Sequence, residues 1–189
     1  VTLLSTISML DGNINAQISG DLPERTPSFF FLDIQPDQID GFTALLDATD
    51  GVDAMEKSPM LRGQIMAVNG VLSADLDPIP DVEWVLRGDR GLTYGRAAPA
   101  GGEIVEGTWW APDYQGPPLV SFDVEIAAGL DVGLGDTITV NVLGRPLTAT
   151  IANLRKIDWA SGGLNFFMIF SPEPMARAPH TYLTTVTMS

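Results

Sequence analysis

The chain has 189 residues, 45% apolar and 18% charged, and its 10 Lys and Arg stand against 24 Asp and Glu for a formal charge of −14. A chain of this length buries roughly 70% of its unfolded surface, so a real core forms, and 19 Gly with 14 Pro predict many short elements joined by turns. The acidic balance repels phosphate backbones and excludes nucleic acid as a partner, the absence of Cys excludes disulfide scaffolds and thiolate chemistry, and a single histidine, His180, excludes a His-rich metal site.

Leu3, Ile7, Leu10, Ile14 and Ile18 recur at helical spacing, so residues 1–20 predict an amphipathic helix. It is almost uncharged and is weakened by Gly12, so it is expected to need a partner. The start at Val1, without an initiator Met or signal-peptide pattern, reads as a segment of something longer. Ser28–Ile34 predicts a buried aromatic strand, followed by a helix with Pro36 at its first position, an inward stripe of Ile39, Phe42, Leu45 and Leu46, and Gly51 as its stop. Two strands follow, Val52–Lys57 and Met60–Val68. Residues 69–116 are dense in turn formers, with short strands expected at Gly91–Gly95 and Gly102–Val105, and a second lobe is expected to begin here.

Ser121 is the expected cap of a short helix carrying Asp123 and Glu125, with Gly129 as its left-handed stop and Leu130 as the apolar contact beyond it. A hairpin over Ile138–Ile151 is expected to turn at Gly144-Arg145, pairing Val142 with Leu147, Val140 with Ala149 and Ile138 with Ile151. Pro146 then implies an open turn or an edge position. Asn165–Phe170 predicts a buried strand, Ser171-Pro172 a helical turn, and Tyr182–Met188 a last strand that ends without a turn signal. No run reaches the roughly 18 apolar residues of a membrane span.

Candidate chemistry is sparse. Asp11-Gly-Asn13-Ile-Asn15 opens like a calcium loop, but Ala16 and Leu22 stand where such a loop needs Gly and Glu. Asp75, Asp77 and Asp81 lie among prolines and read as a solvated acidic turn, and Arg87-Gly88-Asp89, a tripeptide that some adhesion proteins use, reads with Arg90 and Gly91 as a turn with exposed charges. Ser161-Gly162-Gly163 lacks a nucleophile elbow, and Gly133-x-Gly135 lacks the rest of a dinucleotide fingerprint. No catalytic, cofactor-binding or metal-binding residue is assigned. Trp109, Trp110 and Tyr114, ahead of Gly116-Pro117-Pro118, are either satellite core under a long connection or a partner surface, and His180 reads as a turn residue.

Six segments in order give the chain a resemblance. They are Phe30-Phe31-Leu32-Asp33-Ile34-Gln35-Pro36-Asp37-Gln38, Pro59-Met60-Leu61-Arg62-Gly63, Glu83-Trp84-Val85-Leu86-Arg87-Gly88-Asp89-Arg90, Leu134-Gly135-Asp136-Thr137-Ile138-Thr139-Val140-Asn141-Val142, Asn153-Leu154-Arg155-Lys156-Ile157-Asp158-Trp159, and Asn165-Phe166 with Phe170-Ser171-Pro172. With these, residues 28–186 resemble the large extracytoplasmic domain of FtsX-like ABC transporter permeases, also called the MacB-like periplasmic core domain, in the branch linked to lysophospholipase biosynthesis or export.

The resemblance implies an α+β fold: a porter-like α/β sandwich lobe (21–69, closed by the truncated strand of 178–189), an inserted β-rich lobe (70–177), and 1–20 as a stalk helix from a first membrane span. The second β-α-β half of the porter-like lobe is missing, which leaves a sheet edge for a partner chain, a homo-oligomer or sequence beyond Ser189 to cover. It further implies a noncatalytic, cofactor-free periplasmic domain of an inner-membrane protein. A cytoplasmic ATPase would move it through the membrane helices, and a periplasmic protein or a lipid-linked cargo would bind it. The alternatives are an envelope hydrolase using a carboxylate pair, which needs a deep polar pocket, and a periplasmic small-molecule receptor, which needs a cleft between lobes.

Overall fold

A computed structural model describes residues 27–100, 102–159 and 163–189. The helix expected over 1–20 and the loop-like Asp11–Ala16 lie outside the described residues, as do Ser161 and Gly162. In chain order the elements are β1 (Phe29–Ile34), α1 (Ile39–Asp47), β2 (Val52–Val68), β3 (Val71–Leu72), β4 (Arg90–Tyr94), β5 (Gly102–Gly107), β6 (Leu119–Asp123), α2 (Val124–Gly129), β7 (Thr137–Val142), β8 (Arg145–Ile157), β9 (Met168–Phe170), α3 (Pro172–Met175) and β10 (Thr181–Met188). Two 3-10 segments, Ser73–Asp75 and Pro80–Leu86, lie between β3 and β4. The fold is α+β and dominated by sheet, as the sequence implied.

β1, β10 and the first half of β2 form a small antiparallel sheet in which Phe31 faces Thr184 and Thr184 faces Lys57. Helix α1 covers one face: Ile39 and Leu46 are buried, and the rings of Phe42 and Phe31 meet edge-on at 4.9 Å. Three expectations fail here. β1 is not buried, because it lies at the sheet edge and a nine-residue helix covers one face only in part; Phe29, Phe30 and Leu32 are 52%, 55% and 64% exposed. Leu45 is exposed, since at 3.6 residues per turn it falls off the stripe that Ile39, Phe42 and Leu46 share. The helix also starts later than Pro36, with Gln38 at its cap position, and Pro36 sits in the turn before it.

The two strands expected at 52–68 are one strand of 17 residues. Pro59 does not interrupt it. Its carbonyl accepts a hydrogen bond from Thr93 Oγ1, 2.6 Å away, so its nitrogen faces the β4 side, while Tyr182 of β10 pairs across the other edge. Beyond Met60, β2 enters a second sheet whose pairings close on themselves. β2 pairs with β4, β4 with β9, β9 with β6, β6 with β8, β8 with β7, and β7 again with β2. This six-stranded barrel holds the main core. Ile65, Leu92, Val120, Phe122, Ile138, Val140, Ile151, Met168 and Phe170 are at most 1% exposed. Each fully buried aliphatic or aromatic side chain of this kind contributes about 1.5–3 kcal/mol.

Helix α2 and the 3-10 segment Pro80–Leu86 pack on the barrel through Ile126, Ala127, Val82, Val85 and Leu86. The cap of α2 is Asp123, not Ser121: its Oδ1 accepts from the N–H groups of Glu125 and Ile126 at 2.9 Å each. Ser121 lies two residues earlier, buried in β6. Gly129 is the last helical residue, and the left-handed position falls to Asp131, with φ 55°. Gly129 is needed for closeness, because a Cβ there would stand 2.5 and 2.6 Å from the methyls of Val82. Leu130 does join the core.

The β7–β8 hairpin turns at Leu143-Gly144, with φ of 51° and 83°, and pairs Val142 with Arg145, Val140 with Leu147 and Ile138 with Ala149. The expected partners on β8 are displaced by two residues. Because strands alternate with period two, that displacement keeps every side chain on its expected face. Pro146 lies opposite Asn141, on a stretch of β8 paired along the β7 side, so it occupies an edge and not an open turn. The strands expected near 91–95 and 102–105, the turn after Ser171 and the last strand are present, whereas the strand expected over Asn165–Phe170 is confined to Met168–Phe170.

Candidate functional site

Trp110 is buried and donates from Nε1 to the Gly95 carbonyl at 2.9 Å. Trp109 is half-buried, stacks on Trp110 at 4.2 Å between centroids, and donates to the Arg96 carbonyl at 3.0 Å. Tyr114 reaches the Pro117 carbonyl at 2.7 Å. Trp109 also joins a second cluster, in which Leu164, Phe166 and Ile169 pack with Met60 of β2 and Leu183 of β10. That cluster is wedged where the small sheet meets the barrel.

The acidic turn Asp75, Asp77 and Asp81 is exposed, as are Arg87, Gly88 and Asp89. Arg87 pairs with Glu83 one turn back, and Arg90 lies over the Trp84 ring and donates to the Trp84 and Arg87 carbonyls. Among the described residues no three His, Asp or Glu come together as metal ligands would. The buried carboxylate of Asp123 caps α2 and faces Arg155. Burial pushes the Arg155 guanidinium down to about 10, partly offset by Asp123. Arg155 Nε donates to Ser121 Oγ at 2.7 Å and its Nη2 to the Phe166 carbonyl at 2.8 Å, while Ser121 also bonds Asn153. This network ties β6, β8 and the chain before β9 together.

His180, in the turn before β10, has Nδ1 2.9 Å from the Ala178 carbonyl and stands edge-on to Tyr94 and Tyr182. Burial, and secondarily Tyr182, push the Tyr94 phenol above its ordinary value.

Among the described residues, clefts open toward the barrel ends. One, about 390 Å³, lies between Val68, Ile79 and Leu130 and carries Asp77 and Asp131. Another, about 590 Å³, lies between the hairpin and the segment after α3; Val142, Leu143, Leu147, Met175 and Pro179 line it, with Arg145 and Arg177. Sequence reasoning missed this second cleft. A signal was present in Leu143-Gly144, since a two-residue hairpin turn with both φ positive ordinarily takes Asn or Asp at its first position.

No family model matches the chain. It is similar to the "Uncharacterized ABC transporter permease YbbP" of Escherichia coli (strain K12), with 28% identity over 186 residues, 97% of this chain and 22% of that protein. The chain therefore spans about a fifth of its relative's length. Among the described residues, no helix is long and apolar enough to cross a membrane.

Proposed function

We propose that this chain is a noncatalytic extracytoplasmic domain of an ABC transporter permease of the FtsX-like, MacB-like type, which binds a periplasmic protein or a lipid-linked cargo and passes on ATP-driven motion. The carrying observation is the match of nearly the whole chain to one segment of a permease. The lobes are a porter-like unit built on residues 21–69 with 178–189 and an inserted β-rich unit of 70–177, with 1–20 as the stalk; the end of the first segment, Leu61–Val68, is shared, because it pairs into the barrel. A cytoplasmic ATPase acts on the membrane helices of the full protein, and the domain stands on the periplasmic side of the inner membrane. Trp109, Trp110 and Tyr114 would serve a partner mainly by stiffening the loop that presents its exposed residues.

The mechanics follow from β2. At ~3.3 Å per residue its 17 residues span about 55 Å. It pairs with the small sheet over Val52–Met60 and with the barrel over Leu61–Val68, so no linker separates the two. A displacement applied to the small sheet reaches the barrel through one hydrogen-bonded strand and the Leu164–Phe166–Ile169 wedge.

In the full-length protein, Asp113→Cys adds a thiol in an exposed loop of this Cys-free segment, and its labelling is read against the unsubstituted protein. A membrane-impermeant maleimide should label it in cells whose outer membrane alone has been opened. Labelling that requires lysis of the inner membrane would overturn the placement.

A further inference from the structure

We propose that the cleft at the α3 end of the barrel binds a single-chain anionic amphiphile, with its head on Arg145 and Arg177 and its chain running inward toward Met175. Three independent observations support this. The cleft is about 590 Å³, within the range of small-ligand sites, and barrel mouths are a common place for them. Its floor continues the core, since Met175 is 2% exposed and packs with the barrel interior. Its charge runs against the rest of the molecule: in a chain with 24 acids to 10 bases, the lining carries two arginines and no carboxylate. Glu173 approaches from outside the lining, with Oε2 3.1 Å from Arg177 Nε.

Leu143 supplies a fourth observation. It is 63% exposed and holds φ 51°, a conformation unfavourable for a bulky side chain, at a position where Asn would relax the turn. Neither packing nor turn chemistry accounts for it, and backbone strain concentrates at binding sites. At the mouth of the cleft it extends the apolar wall. An extended acidic peptide fits less well. The edge of β8 beside the cleft begins at Pro146, which has no N–H to offer an added strand. The proposal rests on the cleft alone and stands whether or not the chain serves a transporter.

The test is titration of the 189-residue chain, below the micelle concentration, with dodecyl phosphate and with laurate. Dodecyl maltoside, inorganic phosphate and an alternating Val-Glu hexapeptide serve as comparisons, read by calorimetry and NMR. At least one anionic amphiphile should saturate, with shifts centred on Val142, Leu147 and Met175. Binding of both would identify charge as the requirement, and binding of dodecyl phosphate alone would identify phosphate. Arg145→Gln with Arg177→Gln should weaken that binding roughly tenfold or more for each guanidinium lost, with an unchanged melting temperature. Leu143→Asn should raise the melting temperature yet weaken binding, a combination that a purely structural role cannot give. Equal binding of dodecyl maltoside, shifts elsewhere, indifference to the arginine substitutions or saturation by the peptide instead would each overturn the proposal.

Discussion

Arg155 offers the sharpest test of the energetics. It is 2% exposed and carries its charge into the packed region between β6, β8 and the chain before β9. Burial holds its pKa down to about 10 from its ordinary value. At about 1.4 kcal/mol per tenfold change in proton affinity, that sets about 3 kcal/mol against the charged guanidinium in the fold. Arg155→Met relieves this cost and keeps most of the stem packing. It leaves the Phe166 carbonyl without its donor, at about 1–3 kcal/mol, while Ser121 keeps its bond to Asn153. The two terms nearly cancel, so the Met variant should unfold within about 2 kcal/mol of the parent in urea, followed by Trp fluorescence. Arg155→Ala also loses the buried stem and should cost about 3–5 kcal/mol.

The pH dependence has a definite sign. With the folded pKa below the unfolded one, the cost is in full force below about pH 10 and is relieved only as pH rises beyond it. The difference between parent and Met variant should therefore stay flat between about pH 6 and pH 9. A Met variant as unstable as the Ala variant would refute the reasoning, because it would mean that the guanidinium is a net stabiliser.

Two further outcomes are expected. Gly129→Ala drives a methyl into Val82 and should cost about 1–3 kcal/mol, seen as a lower urea midpoint with unchanged slope; an unaffected midpoint would show that the 3-10 segment yields freely. Leu183→Ala thins the wedge between small sheet and barrel, and should raise hydrogen exchange in β1 and β10 while the barrel strands stay protected. Uniform loss of protection would contradict a wedge that acts locally where the small sheet meets the barrel.

What the sequence revealed and what it hid follow a physical division. Face assignments along β7 and β8 were legible because period-two alternation is local, whereas the register was not, since it depended on Leu143 accepting a left-handed backbone. The cap of α2 was misplaced by two residues because Ser121 and Asp123 are both good caps, and the choice was made by the ladder that extends β6 to Asp123. Closure of the barrel could not be read at all, because it depends on the parallel pairs β4·β9 and β6·β8, which join residues far apart in the chain. The cleft escaped notice for the same reason: Arg145 and Arg177 come together only once the barrel has closed.

The central claim is that small sheet and barrel move as one body. Glu56→Cys on the first half of β2 and Glu125→Cys on α2 are both exposed and place spin labels on the two parts of this Cys-free chain. In the full-length protein, if it is the proposed ABC permease, the distance between them should keep a single narrow distribution with and without ATP. A distribution that shifts or splits on nucleotide addition would show a hinge within the domain and contradict the account.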